Sequence, residues 1–115
     1  MYRIGIASSD GLVVNQHFGK ANRFLIVETD DSGGFTAVEE RRLAPVCDGG
    51  SHDPDRLDKN AALLTDCDYL LVSRIGQGAL NVLENKGISV YEIPDLIENA
   101  VGKLLNYIEI QKLLN

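Results

Sequence analysis

The sequence predicts an α/β fold built on a mixed five-stranded sheet, antiparallel in its first half and parallel in its second. Three observations predict it. Up to Leu43, short apolar segments are separated by Gly- and Asp-containing turns, the pattern of antiparallel strands. From Asp53 onward, apolar residues at helical spacing alternate with short unbroken apolar runs, the pattern of strand–helix–strand units. The chain has 115 residues, 44% hydrophobic and 24% charged, ordinary for a globular domain with one core.

The first strand is Tyr2–Ala7, where Tyr2, Ile4 and Ile6 alternate with smaller or polar residues. Ser8-Ser9-Asp10-Gly11 reads as a hairpin turn, because Asp-Gly favours the turns that join antiparallel strands. Leu12–Val14 follows as a short piece of strand. Arg23–Thr29 is apolar on both faces, which predicts a central strand covered on both sides. Asp30–Gly34 is the next hairpin turn. Phe35–Leu43 is more polar, and Glu39, Glu40, Arg41 and Arg42 suit a sheet edge, where charge discourages pairing with another chain.

Ala44–Asp53 reads as a loop rich in Gly, Ser and Asp. Asp53-Pro54 opens a helix, since Asp caps free amides and proline fits the first turn. Leu57, Ala61 and Leu64 then recur at helical spacing. Tyr69–Val72 is an unbroken apolar run, typical of a buried parallel strand. Ser73–Gly78 leads into a helix carrying Ala79, Leu80 and Leu83, which Gly87 ends from the C′ position. Ile88–Ile93 is the fifth strand. Asp95 with Glu98 reads as a capping box for the last helix, which lines up Ile97, Val101, Leu104 and Ile108. Three antiparallel strands joined by hairpins, then helix–strand–helix–strand–helix, give a ribonuclease-H-like topology in a three-layer arrangement. Residues 1–115 are expected to form one such domain.

A formal net charge of −6 argues against general nucleic-acid binding, which needs a basic face, and against attachment to an anionic membrane. No window reaches the apolar length of a membrane span, and the N-terminus lacks a basic-then-apolar leader, so the cytoplasm is the expected location. Cys47 and Cys67 are then expected to be reduced thiols. Neither belongs to a Cys-x-x-Cys pair, which leaves a zinc finger or thioredoxin-like site unsupported.

The most informative stretch is Asn15-Gln16-His17-Phe18-Gly19-Lys20-Ala21, which puts one of only two histidines in a tight connection at the rim of the sheet. A side chain there is positioned by rigid strands yet open to a ligand. Imidazole is both a metal ligand and a proton carrier. On residue chemistry alone, His17 also fits a ring that bonds a neighbouring carbonyl and shapes its loop. Cys47 lies in a polar loop followed by Asp48-Gly49-Gly50-Ser51-His52. Thiolate and imidazole are usual ligands for zinc and iron–sulfur species, while a surface cysteine without a task fits the same loop. Cys67 reads as a small core residue, and His52 as a solvated one. Gly76-Gln77-Gly78 has the look of a phosphate-binding loop but lacks its third glycine, and a tight strand-to-helix turn explains it. Its bare amides could still hold an anion. Lys20, Arg23, Arg41, Arg42 and Arg74 lie near these loops and strand ends, and their convergence would favour a small anionic ligand. A metal-dependent nuclease or hydrolase needs converging carboxylates. The first strand offers none, Asp10 lies past its end, and Asp53/Asp55 and Asp66/Asp68 read as a cap and a solvated turn.

Three features together resemble the dinitrogenase iron–molybdenum cofactor biosynthesis family, that is, NifX-like proteins and the C-terminal domain of NifB-like proteins. They are Ile4–Gly11 followed by Gln16-His17-Phe18-Gly19-Lys20-Ala21 and Phe24; Arg41-Arg42 leading to Cys47-Asp48-Gly49-Gly50; and Ile75-Gly76-Gln77-Gly78-Ala79 with Leu83, Gly87-Ile88 and Val90-Tyr91. The resemblance implies a ribonuclease-H-like fold without nuclease activity and a non-catalytic carrier of iron–sulfur or iron–molybdenum cofactor precursors. It implies His17 as a cluster ligand and Cys47 as a lesser candidate, and Gly19, Lys20, Gly76 and Gly78 are expected around the cluster. The partners expected are metallocluster donor and acceptor proteins, and the chain is expected to be a monomer or weak homodimer. A metal-dependent hydrolase on the same fold, or an interaction module without cofactor that pairs through its last helix, are the alternatives.

Overall fold

The computed structural model describes residues 1–48 and 51–115, with the side chains of Asp48, Ser51 and His52 also left out of the description. In chain order the elements are β1 (Arg3–Ala7), a single 3-10 turn (Phe18–Lys20), β2 (Arg23–Thr29), β3 (Phe35–Arg42), β4 (Cys47–Asp48), β5 (Ser51–His52), α1 (Pro54–Ala62), β6 (Tyr69–Val72), α2 (Gln77–Asn85), β7 (Ser89–Glu92) and α3 (Ile97–Leu114). The main sheet runs β3-β2-β1-β6-β7. β1 pairs antiparallel with β2 and parallel with β6; β2 pairs antiparallel with β3, and β6 parallel with β7. This is the mixed, ribonuclease-H-like sheet expected from the sequence.

Strand alternation divides the core between two faces. Ala7, Phe24, Ile26, Leu70 and Val72 bury against Leu57, Ala61, Leu64 and Leu83 on the α1–α2 side. Ile4, Ile6, Val27 and Leu71 bury against Ile97, Ala100, Val101, Leu104 and Ile108 of α3. Each large side chain so buried contributes about 1.5–3 kcal/mol, and together they make three layers. At Gly5 a Cβ would lie 2.6 Å from Leu70 Cδ2, so the Leu70 side chain packs over the space that a side chain on β1 would take.

The helix ends follow local chemistry. Asp53 accepts hydrogen bonds from the amides of Asp55 and Arg56 and starts α1 as expected. Gly87, at φ +86°, lets Ile88 N reach Leu83 O at 3.1 Å and Gly87 N reach Glu84 O at 3.0 Å, the Schellman stop of α2. β3 lies at an edge, as its charges suggested, with Arg23 bonded to Glu40 and Arg41 to Glu39.

Three local expectations change. Ser8–Gly11 does not close a hairpin: the Asp10 carboxylate accepts from Leu12 N and Val13 N, and the chain then bridges Val13 to Leu96 rather than returning along β1. β1 and β2 pair antiparallel all the same, across the longer connection 8–22. The expected loop before α1 contains the small β4–β5 ladder, in which Cys47 pairs with His52. The Asp95/Glu98 capping box is absent because α3 starts one residue later. Leu96 is the N-cap without a side-chain bond, and Asp95 instead receives Leu96 N, Asn99 Nδ2 and Lys103 Nζ. Among the described residues no helix is long and apolar enough to cross a membrane.

Candidate functional site

β1 and β6 are parallel neighbours whose chains depart in opposite directions, β1 toward β2 and β6 toward β7. In open α/β sheets, the crevice outside the carboxyl ends of such a strand pair is where ligands bind. Here two segments build it. Asn15 N and Gln16 N both donate to Ala7 O, and Ser73 N donates to Gln16 O at 3.0 Å. Phe18 N donates to Arg74 O at 2.8 Å, making a parallel bridge between His17 and Arg74.

Phe18 is the anchor. It is 2% exposed and its ring lies 6.2 Å from that of Phe24, tilted by 58°. With Phe18 pulled inward and the 3-10 turn following at once, the His17 backbone is fixed while its side chain stays exposed. His17 occupies the N-cap position of that turn without a side-chain capping bond, and its ring takes no hydrogen bond among the described residues. The loop-shaping reading of His17 therefore finds no bond to rest on.

Cys47 reaches the same place from the other side. A Cβ at Gly19 would sit 2.7 Å from Cys47 Sγ, so glycine is a steric requirement that lets the thiol pack beside the His17 loop. The result is an open groove of about 410 Å³ lined by His17, Gly19, Lys20, Cys47, Arg74, Ile75 and Gly76. Gly76 is the N-cap of α2, which has no side-chain cap. Gly78 does not line the groove. Neither Gly76 nor Gly78 has positive φ, and a Cβ on either meets nothing within 4 Å, so the fold makes no demand for glycine there.

The basic residues do not all converge. Lys20 and Arg74 line the groove, with no carboxylate partner among the described residues. Arg23 and Arg42 bind Glu40, and Arg41 binds Glu39, Asp66 and Leu63 O. Arg23 finds Glu40 on the adjacent strand and Arg41 finds Asp66 in the α1–β6 connection, which sequence proximity does not reveal, whereas Arg41–Glu39 and Arg42–Glu40 pair residues two apart on β3. Ile75 was not foreseen as part of the wall, and nothing in a lone isoleucine signals it.

Cys67 plays no part. It is 3% exposed, and burial first, with the neighbouring Asp66 charge adding, pushes its thiol up to about 12. Four of the five carboxylates considered for hydrolysis, all but Asp55, are otherwise engaged. Backbone amides of Leu12 and Val13 hold Asp10 below the usual range, Asp53 caps α1, Asp66 binds Arg3 and Arg41, and Asp68 accepts from Arg3 N. Among the described residues no three His, Cys, Asp or Glu side chains gather into a metal-holding group. Gly49, Gly50 and the His52 side chain lie outside the described residues. A cleft of about 420 Å³ at the other end of the sheet, between Tyr2, Asp30 and Lys112, contains neither imidazole nor thiol.

A family model described as "Dinitrogenase iron-molybdenum cofactor" matches residues 1–107. The chain is 38% identical over 104 residues to the FeMo cofactor biosynthesis protein NifB of Frankia alni, covering 88% of this chain and 20% of that protein. It is 35% identical over 69 residues to Protein NifY of Klebsiella pneumoniae, covering 60% of this chain and 28% of that protein. The chain thus spans less than a third of the length of these relatives. In fold it is similar to an NMR structure of a Thermotoga protein assigned provisionally as NifB, with a TM-score of 0.61 at 23% identity, covering 92% of this chain and 89% of the other.

Proposed function

The chain belongs to the dinitrogenase iron-molybdenum cofactor family, and from that premise we propose that it is a non-catalytic carrier in cofactor biosynthesis. It takes an iron–sulfur-based precursor into the groove beside His17 and passes it on. One observation carries this reading: His17 and Cys47, from separate elements, line a single open groove together with two cations that have no carboxylate partner among the described residues. Its volume of about 410 Å³ falls within the range of roughly 300–1,000 Å³ typical of small-ligand sites.

Each residue then has a task. A neutral His17 ring nitrogen binds iron, and the Cys47 thiolate makes a second bond. Lys20, Arg74 and the uncapped amides at the start of α2 offset the negative charge of a sulfide-rich cargo. Gly19 keeps the thiol close, and Gly76 lets the cargo approach the backbone. Two protein donors in an open groove suit transfer, because release is part of the work. A structural metal site closes all its positions instead. The reading implies donor and acceptor proteins for the cluster, and a reducing cytoplasm in which Cys47 stays a free thiol.

Anaerobic addition of ferrous iron and sulfide tests it, followed by visible absorption and iron analysis. The wild-type protein is expected to take up iron together with sulfide, and to show a sulfide-to-iron absorption band once ferricyanide oxidises part of the bound iron. His17→Ala loses most of that uptake without loss of stability, since the ring is exposed, and Cys47→Ser loses part. Equal uptake by wild type and His17→Ala removes His17 as a ligand.

A further inference from the structure

Glu92, the last residue of β7, does not line the groove, yet its Oε2 accepts a hydrogen bond from Ile75 N at 2.8 Å. That N–H belongs to the same peptide group as the Arg74 carbonyl, which accepts from Phe18 N at 2.8 Å. The peptide is trans and therefore planar, so both hydrogen bonds share one rigid unit and leave it in opposite directions. Phe18 N is in turn part of the peptide that follows His17. From the Glu92 carboxylate to the backbone of the imidazole-bearing residue there are thus only two peptide groups.

We infer that Glu92 is a positioning residue of the groove, which holds the Arg74–Ile75 peptide and through it the His17–Phe18 backbone. The functional half of this inference rests on reading the groove as the cargo site; the structural half does not. A carboxylate is a stronger acceptor than a neutral group, and its bond polarises the peptide so that the carbonyl at the far end accepts more strongly. Glu92 is exposed and makes no ion pair among the described residues, so the Ile75 amide is the partner the structure shows for it. The β6–β7 ladder ends at Val72 and Glu92, with Ile93 N bonded to Val72 O, and the Glu92 side chain carries that link one step further, to the lip that follows β6. Without it, the Arg74–Ile75 peptide keeps, among the described residues, the bond from Phe18 N and can tip about it.

Two variants separate position from charge. Glu92→Gln keeps an acceptor oxygen and removes the charge; Glu92→Ala removes both. Amide hydrogen exchange read by NMR is expected to show Phe18 exchanging roughly tenfold faster in Glu92→Ala, with amides within β1 unchanged. Glu92→Gln restores wild-type exchange within a few-fold. Iron uptake from ferrous iron and sulfide falls in Glu92→Ala and recovers in Glu92→Gln. The inference is overturned if Phe18 exchange in Glu92→Ala matches wild type, or if Gln fails to restore it. A wild-type protein that takes up no iron, while the exchange contrast at Phe18 stands, overturns the carrier reading and leaves the hold of Glu92 on the His17 backbone intact.

Discussion

Arg41, in β3, and Arg74, in the lip that follows β6, are used in opposite ways. The Arg41 side chain is 16% exposed and is bonded to Glu39, Asp66 and the Leu63 carbonyl at 2.7–3.0 Å. Arg3 joins the same rim through Glu28 and Asp66. Arg74 is exposed and opens with Lys20 onto the groove, with no carboxylate partner among the described residues. In the rim, charge ties β3 and β1 to the α1–β6 connection. In the groove, charge is left without a partner, which costs little because water solvates it. The difference separates residues that hold the molecule together from residues available to a guest.

The cysteines should show the contrast most completely. Iodoacetamide is expected to label Cys47 in the folded protein and to leave Cys67 untouched until denaturant is added, since burial holds that thiol up near 12. Mass spectrometry before and after unfolding reads it. Labelling of Cys67 in the native state would break the division between core and groove.

Arg41→Ala should destabilise the fold by about 1–2 kcal/mol, as several charged hydrogen bonds to half-exposed partners are lost together. Chemical denaturation measures this, and iron uptake should be unaffected. Lys20→Ala should do the reverse, changing stability by less than about 0.5 kcal/mol and weakening uptake most at low salt.

Acid probes the rim when wild type and Arg41→Ala are compared, since carboxylates held low elsewhere, such as Asp10 and Asp95, are common to both. Hydrogen bonds from Arg41 hold the Asp66 carboxyl below its ordinary 3.8. A lowered folded pKa means that the stabilisation is present above that ordinary value and is lost as pH falls through the folded one. Denaturation midpoints taken downward from pH 5 should therefore decline less steeply in Arg41→Ala than in wild type.

The smallest effects concern the two glycines without a folding reason. Gly78→Ala, inside α2 and away from the groove, should raise stability by up to about 1 kcal/mol and leave uptake unchanged. Gly76→Ala should cost up to about 1 kcal/mol, because alanine is a poorer N-cap than glycine, and should lower uptake, because its methyl group enters the groove. Equal uptake by both variants would mean that the cargo does not approach Gly76.

Elements with strong local signals were legible in the sequence. Tyr69–Val72 read as a typical buried strand, Asp53-Pro54 as a good helix start, and Gly87 stops α2 as its position suggested. Leu12–Val14 failed because its partners are Asp95, Leu96 and Ile97, far along the chain, and no turn signal points to them. The β4–β5 ladder failed because two-residue strands have no period to read. At the site, His17 stood out as a histidine in a Gly-bounded turn. Its meeting with Cys47 depends on the notch at Gly19, and the loss of Arg23 and Arg41 from the basic rim depends on carboxylates brought there by the neighbouring strand and the α1–β6 connection. Both are facts of tertiary packing.

The strap from Leu12 to Val14 bears on how the protein is born. Val14 N bonds to Asp95 O at 2.9 Å and Ile97 N to Leu12 O at 2.8 Å, so the segment leading to His17 is stitched to the start of the last helix. Such distant contacts form late, because the intervening chain must first be ordered. On the ribosome, the stitch must wait until Asp95 to Ile97 have left the exit tunnel. On the proposed carrier reading, a chain made only as far as β7 would therefore lack one of the ties that finish the His17 segment as a seat for its cargo.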